Sequence, residues 1–295
     1  MVFLWILLIL LVLILWSLLE QKLLMISRYL ITTERLGKDF NDISIVLLAD
    51  LHNCSLGKGN SKLLQAVDKL KPDIIVAAGD IITKQKKSIP GNAYSLLERL
   101  AGKYPVYYAY GNHEQHLENM NLNNGKYTKL SIREEALYQS WVEFKEKLKS
   151  LGVYLLDNKS ITIMKNSSKI IITGLSIDSE FYNTALNQEY LKSVLVKNNN
   201  EDYRLLIAHN PLFFNEYISW GADLILSGHL HGGLMRIPRF GGLISPQYKF
   251  FPKYDAGIFT ENGKSMIVSR GLGTHSHMPR LFNRPELVSI ILKSK

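Results

Sequence analysis

The stretch Ile45-Val46-Leu47-Leu48-Ala49-Asp50-Leu51-His52 decides the fold. Five apolar residues without polar alternation read as a strand buried on both faces, and the strand ends on an acid and an imidazole. The pattern recurs. Ile75-Val76-Ala77-Ala78 runs into Gly79-Asp80, and Tyr107-Tyr108-Ala109-Tyr110 runs into Gly111-Asn112-His113-Glu114. Leu205-Leu206-Ile207-Ala208 ends at His209-Asn210-Pro211, and Leu224-Ile225-Leu226-Ser227 ends at Gly228-His229-Leu230-His231. Ligands of open α/β sheets gather at the carboxyl ends of strands, so these Asp, Asn and His residues are expected to share one crevice.

Around these strands the chain reads as α/β. Short apolar runs at Ile43 to Leu48, Ile74 to Ala78, Val106 to Ala109, Ile170 to Thr173, Leu205 to Ala208 and Leu224 to Leu226 alternate with amphipathic stretches. Leu63, Leu64, Val67 and Leu70 recur at helical spacing, as do Ile132, Ala136, Trp141, Phe144, Leu148 and Leu151, and both sets are expected to face the core. After Gly232 come short strands with Gly-rich turns, Ala256 to Thr260, Ser265 to Ser269 and Leu287 to Leu292, which read as a second, antiparallel sheet packed on the first half. His116 to Lys129 and Lys197 to Asp202 read as the least regular stretches.

Seven of the strand-end residues are metal ligands by type: Asp50, His52, Asp80, Asn112, His209, His229 and His231. In an extended chain, residues two apart project to one side, so Asp50 can join His52, and His229 can join His231. Mixed imidazole and carboxylate ligation suits Mn, Fe, Zn, Co or Ni and matches the all-oxygen shells of Ca or Mg poorly. Seven ligands exceed the needs of one such ion. Two ions sharing a carboxylate keep a net positive charge of about two beside two aspartates, which attracts phosphate esters and acidifies water.

Val2 to Leu19 holds no charged residue, about the length of a helix that crosses a bilayer. Trp5 and Trp16 lie near its ends, where indole rings favour the interface. No Lys or Arg precedes the run and no small-x-small cleavage site follows it, so an uncleaved anchor is expected rather than a signal peptide. The expected organisation is an anchor over 1–20, a juxtamembrane connector over 21–42 and one domain over 43–295. Lys22, Arg28, Arg35 and Lys38 follow the span, which by the positive-inside rule puts the domain in the cytoplasm of a single-pass membrane protein; an exported domain is the alternative.

At 46% hydrophobic and 21% charged residues, the chain buries a core and is not disordered. Cys54 is the single cysteine, so no intrachain disulfide forms. The net charge of +9 suits an anionic partner without choosing among phosphate, nucleic acid and a negatively charged bilayer.

In order, Asp50-x-His52, Gly79-Asp80, Gly111-Asn112-His113-Glu114, His209 and Gly228-His229-x-His231 resemble the signature of the calcineurin-like metallophosphoesterases. Gly232-Gly233, Tyr254-Asp255-Ala256-Gly257, Ser269 through Thr274, and Arg284-Pro285-Glu286 look like the bacterial membrane-associated or exported branch typified by YkuE and YaeI. The resemblance implies a four-layer α-β-β-α sandwich, here preceded by one N-terminal transmembrane helix, with a dinuclear metal centre. Carried over, Asp50, His52 and His231 hold the first ion, Asn112, His209 and His229 the second, and Asp80 bridges them. His113 matches the catalytic histidine that contacts the scissile phosphate or the leaving oxygen. Ile81-Ile82-Thr83-Lys84 stands where the protein Ser/Thr phosphatases carry Asp-Arg-Gly, so a dedicated protein phosphatase is not expected.

The expected function is hydrolysis of a phosphodiester, phosphomonoester or pyrophosphate by a membrane-anchored enzyme, with a lipid-linked substrate the first to test. One alternative is a nuclease or cyclic-nucleotide phosphodiesterase on the same site, disfavoured because no basic, aromatic platform for nucleic acid is evident. The other is a non-catalytic membrane scaffold, against which His113 and the complete ligand set speak. His116, His275 and His277 read as loop or surface residues, Asn53 as a turn residue, Cys54 as a small buried residue, and the lysines at 84, 86, 87, 145, 147 and 149 as solvated. Tyr248, Phe250, Phe251 and Tyr254, beside Lys249 and Lys253, form either a membrane-facing lip or part of a core.

Overall fold

Successive side chains of the apolar runs point to opposite faces, and in the computed structural model both faces are covered. It describes residues 1–84, 89, 91–123, 130–182, 184–195, 202–274 and 280–295. The chain begins with α1 (Val2–Glu20), β1 (Met25–Thr33), β2 (Ile43–Leu48), α2 (Ser61–Leu70), β3 (Ile74–Ala78), α3 (Gly91–Ala101), β4 (Val106–Ala109), α4 (Asn112–Asn123), α5 (Ile132–Ser150) and β5 (Tyr154–Leu156). It continues through β6 (Lys159–Lys165), β7 (Ser168–Leu175), α6 (Gln188–Val194), β8 (Tyr203–Ala208), α7 (Phe214–Trp220) and β9 (Leu224–Ser227). It closes with β10 (Met235–Ile237), β11 (Gly241–Ile244), β12 (Gly257–Glu261), β13 (Lys264–Val268) and β14 (Glu286–Ser294).

Two six-stranded sheets form, ordered β1-β14-β2-β3-β4-β5 and β12-β13-β9-β8-β7-β6, with β10 and β11 as a separate hairpin. Ile45, Leu47, Val76 and Ala78 of the first sheet meet Ile172, Leu205, Ile207 and Leu226 of the second in the inner core. Their neighbours Val46, Leu48, Ile75 and Ala77 pack outward on Leu63, Val67, Leu96, Trp141 and Phe144 of α2, α3 and α5. Leu206, Ile225 and Met266 pack on Leu191, Phe214 and Tyr217 of α6 and α7. The layers are therefore α-β-β-α, and the lack of polar alternation in the strands follows from burial on both faces.

Several expectations are corrected. The expected strands at 256–260, 265–269 and 287–292 do not make a separate antiparallel sheet. β12 and β13 form an antiparallel hairpin, but β13 pairs in parallel with β9 and extends the second sheet, while β14 runs antiparallel to β2 inside the first. The stretch 21–42 carries β1, paired in parallel with β14 from Met25↔Glu286 to Thr33↔Ser294. As an edge strand it is half exposed, so its sequence lacks the continuous apolar run of a central strand.

Ser131 caps α5 with a capping box to Glu134, which leaves Ile132 in the first turn, 92% exposed. The buried stripe is Leu137, Trp141, Phe144 and Leu148, and Ala136 faces outward. Residues 116–123 continue α4 because Leu117 and Met120 are buried one and two turns after His113; 124–129 and 197–201 lie outside the described residues, as do Lys86, Lys87, His275 and His277.

Candidate metal centre

All eight expected site residues stand at one end of the sandwich. Asp50 follows β2, Asp80 follows β3, Asn112 and His113 open α4 after β4, His209 follows β8, and His229 and His231 follow β9. Extended pleating is not what brings the pairs together. Asp50, His52, Asp80, His229 and His231 all have left-handed φ, between 48° and 73°. Such backbone is costly outside glycine and clusters where a site needs it. Gly79, at φ 81°, lets the chain turn here, and a Cβ on it would meet the Gly111 backbone nitrogen at 2.5 Å.

The side chains form three interlocking groups whose ligand atoms lie within 4.8 Å of one another: Asp50, His52 and His231; His52, Asp80 and His113; Asp50, Asp80 and His209. Asp80 Oδ2 lies 3.3 Å from His209 Nε2 and 3.8 Å from both His52 Nε2 and His113 Nε2. Asp50 Oδ1 is 3.5 Å from His231 Nε2 and 3.7 Å from His209 Nε2. The ring nitrogens of His52 and His231 approach to 3.1 Å. Asn112 and His229 line the adjoining cleft of about 380 Å³ with Lys84, Gln115, Tyr182 and Gln247.

The donor set fits divalent cations. His209 Nδ1 donates to the Ala78 carbonyl at 2.7 Å, so in the neutral ring the Nε2 lone pair faces two carboxylates. A positive charge must lie between them. Without an ion it is a proton: burial opposes it, but Asp80 and Asp50 raise His209 to about 10. Burial pushes Asp50 up to about 7. Burial also acts against ionised Asp80, yet the charge on His209 holds its carboxyl well below the ordinary range. Burial and the neighbouring His52 keep His231 neutral, as a ligand must be. Asn112 Oδ1 is buried with no hydrogen-bond partner among the described residues.

His113 is placed differently. Its Nδ1 accepts the Lys84 N–H at 3.0 Å, so the neutral ring carries its proton on Nε2. Its own backbone N–H donates to Asp80 Oδ1 at 2.9 Å.

Sequence reasoning missed the residues that brace the loops. Glu114, present in the fourth place of Gly111-Asn112-His113-Glu114, accepts the Asp80 and Gly111 N–H groups at 2.9 Å each, the Ile82 N–H at 3.2 Å and the Tyr108 hydroxyl at 2.6 Å. Arg280, fully enclosed, donates to the carbonyls of Gly271, Gly273, Asn283 and Arg270, and more distantly to that of His231. Asn283 donates to the carbonyls of His231 and Gly233. Gln247 Nε2 is 2.8 Å from His229 Nε2.

The minor expectations are met in part. Lys84 and His116 are exposed, as expected of surface residues, and both stand in the wall of the cleft beside the site. Asn53 is a turn residue as expected, at φ 59°, with its side-chain amide buried and without a hydrogen-bond partner among the described residues. Cys54 is only half-buried. Lys145 pairs with Glu118 at 2.5 Å instead of being merely solvated.

A four-layer sandwich with buried acid–imidazole clusters at the carboxyl ends of its strands defines a metallohydrolase. Residues 43–233 match the model of the calcineurin-like phosphoesterases, and the chain belongs to that family. It is a metal-dependent phosphoester hydrolase. Similar proteins include an uncharacterized metallophosphoesterase of Aquifex aeolicus, 29% identical over 95% of this chain and 96% of that one. Another is the uncharacterized metallophosphoesterase YkuE of Bacillus subtilis, 24% identical over 94% and 88%. A third is the UDP-2,3-diacylglucosamine pyrophosphatase LpxG of Chlamydia trachomatis, 23% identical over 91% of this chain and 89% of that one.

Proposed function

We propose that the chain is a membrane-anchored, two-metal phosphoesterase acting on a phosphodiester or pyrophosphate of a lipid-linked substrate. The observation that carries this reading is the sharing of Asp50 and Asp80 among three interlocking ligand groups. Asp50, His52 and His231 would hold one divalent transition-metal ion, Asn112, His209 and His229 a second, with Asp80 between them. When bound, the ions supply an acidified water and positive charge for in-line attack at phosphorus.

The chain's own groups do the rest. The Nε2–H of His113 donates to the phosphoryl or leaving oxygen, oriented by the Lys84 N–H at Nδ1. Lys84, Gln115 and Gln247 in the cleft wall bind the polar remainder of the substrate. The helix α1 is long and apolar enough to cross a membrane and is 6% buried in its apolar window, which supports the anchor. A short tether to a bilayer, together with a relative acting on a diacylated sugar nucleotide, favours a lipid-linked substrate. The cations at 22, 28, 35 and 38 favour a cytoplasmic domain.

Metal analysis of the purified full chain tests the core of this reading. Asp80→Asn lowers the content of both ions and His52→Ala mainly of one, and both variants lose hydrolysis of bis-p-nitrophenyl phosphate. Active wild-type protein free of transition metal refutes the reading. A reporter fused after Lys295 tests the topology: fluorescence of a green fluorescent protein supports the cytoplasmic domain, and active alkaline phosphatase places it outside.

A further inference from the structure

The hairpin β10–β11 and the loop behind it leave the molecule directly after the ligands His229 and His231, and they carry large aromatic side chains into solvent. Tyr248, Phe250 and Phe251 are 67%, 68% and 63% exposed, and Phe240 at the hairpin tip is also exposed. Only Tyr254 of the aromatic group is buried. Arg239, Lys249 and Lys253 stand exposed among the rings. The rings are not carried by slack chain. Phe250 bridges Ile244, the Phe251 N–H donates to the Leu243 carbonyl at 3.0 Å, and the Ser245 N–H donates to the Lys249 carbonyl at 2.8 Å. Arg239, Tyr248 and Phe251 hold left-handed φ of 73°, 60° and 47°, a conformation that bulky residues adopt at a cost. The fold thus spends stability to keep apolar rings out of its own core.

Two further features give this lip a direction. Gln247, between Ser245 and Tyr248, reaches His229, so the lip borders the metal cleft. The helix α1 joins the domain at that same end. Only residues 21–24 separate Glu20 from Met25, at most roughly 18 Å at full extension. Arg284 clamps the Leu23 and Leu24 carbonyls at 2.9 and 3.1 Å, and the Met25 N–H donates to the Pro285 carbonyl at 2.8 Å. The 280–286 segment holds the hairpin too, through the Arg236 N–H on the Leu281 carbonyl at 3.0 Å.

We infer that the lip formed by Tyr248, Phe250 and Phe251 with Lys249 and Lys253 docks onto the anionic surface of the bilayer that holds α1, turning the metal cleft toward the lipid headgroups. Aromatic rings partition into the interface, and cations beside them add attraction to anionic lipids. The inference rests on the reading of α1 as a membrane anchor. It identifies the face that meets the substrate, which that reading leaves open.

The test uses the full chain with Cys54→Ser, reconstituted in phosphatidylcholine vesicles with or without phosphatidylglycerol, and a small proportion of lipid bearing a nitroxide on the headgroup or, for the position within α1, on the acyl chain. An environment-sensitive fluorophore is attached at Phe250→Cys, at Met164→Cys on the opposite end of the second sheet, or at Leu10→Cys within α1. Quenching severalfold stronger at position 250 than at 164, increased by phosphatidylglycerol and losing that increase in Lys249→Glu/Lys253→Glu, supports the inference. Quenching at position 10 with no difference between 250 and 164 overturns it while leaving the anchor intact, as expected if the lip meets another protein. Absence of quenching at all three positions overturns the anchor and the inference together.

Discussion

Replacing His113 by Ala tests how the site handles the leaving oxygen. The ring is fully buried, and its Nδ1 is occupied by the Lys84 N–H at 3.0 Å, so the Nε2–H donor is set before substrate arrives. Such a preorganised donor stabilises developing charge, and its removal costs about 10²–10³ in kcat. Proton transfer from Nε2 would leave an imidazolate, which the neighbouring Asp80 carboxylate at 3.8 Å disfavours further. The defect is therefore expected to be alike, within about threefold, for an aryl diester that releases a phenolate and for an alkyl diester that releases a poor alkoxide. Steady-state kinetics on both substrates, with metal content measured on the same samples, make the comparison. Loss of the part-buried hydrogen bond from the Lys84 N–H adds about 0.5–1.5 kcal/mol of destabilisation, which a thermal melt reads separately. A defect about tenfold or more larger on the alkyl ester refutes the fixed-donor reasoning, since it means that the proton is delivered. Loss of metal in the variant refutes the division between ligands and catalyst.

Removal of the Arg280 guanidinium in Arg280→Met takes a donor from the buried carbonyls of Asn283, Gly271 and Gly273 and from that of Arg270, of which Gly271 keeps the Glu286 N–H, and is expected to destabilise the fold by about 3 kcal/mol; an unchanged denaturant midpoint would contradict this. In Glu114→Gln one acceptor oxygen becomes a donor facing the N–H groups of Asp80 and Gly111 or of Ile82, so metal affinity falls as the Asp80 loop shifts, measured by titration with Mn; wild-type affinity would show that the brace is dispensable. In metal-free protein His209 is raised to about 10 from 6.5. That stabilisation is complete below about pH 6.5 and is lost as pH rises through about 10. An ion replaces this proton, so metal affinity rises with pH over the same window. Thermal melts of chelator-treated protein should fall with pH where those of Mn-loaded protein do not, and identical slopes would refute the assignment.

Two kinds of information separate here. The apolar runs that became β2, β3, β4, β8 and β9 are legible because a strand buried on both faces needs no partner to declare its composition, and a polar residue ending such a run is a local mark. For that reason Asp50, His52, Asp80, Asn112, His113, His209, His229 and His231 stand out in the sequence as candidates for one site, and the fold sets all eight at one end of the sandwich. Pairing is not local. The hairpin of β12 and β13 was visible, but its docking beside β9, the placement of β14 against β2 and the recruitment of β1 depend on backbone hydrogen bonds that any side chain permits. The left-handed turns that converge the acidic and imidazole side chains, and the fixed tautomer of His113, likewise arise from neighbours distant in sequence. Arg280 is the clearest case: its partners are backbone carbonyls, which every residue carries, so only the tertiary fold decides that an arginine there holds the loops of the metal site.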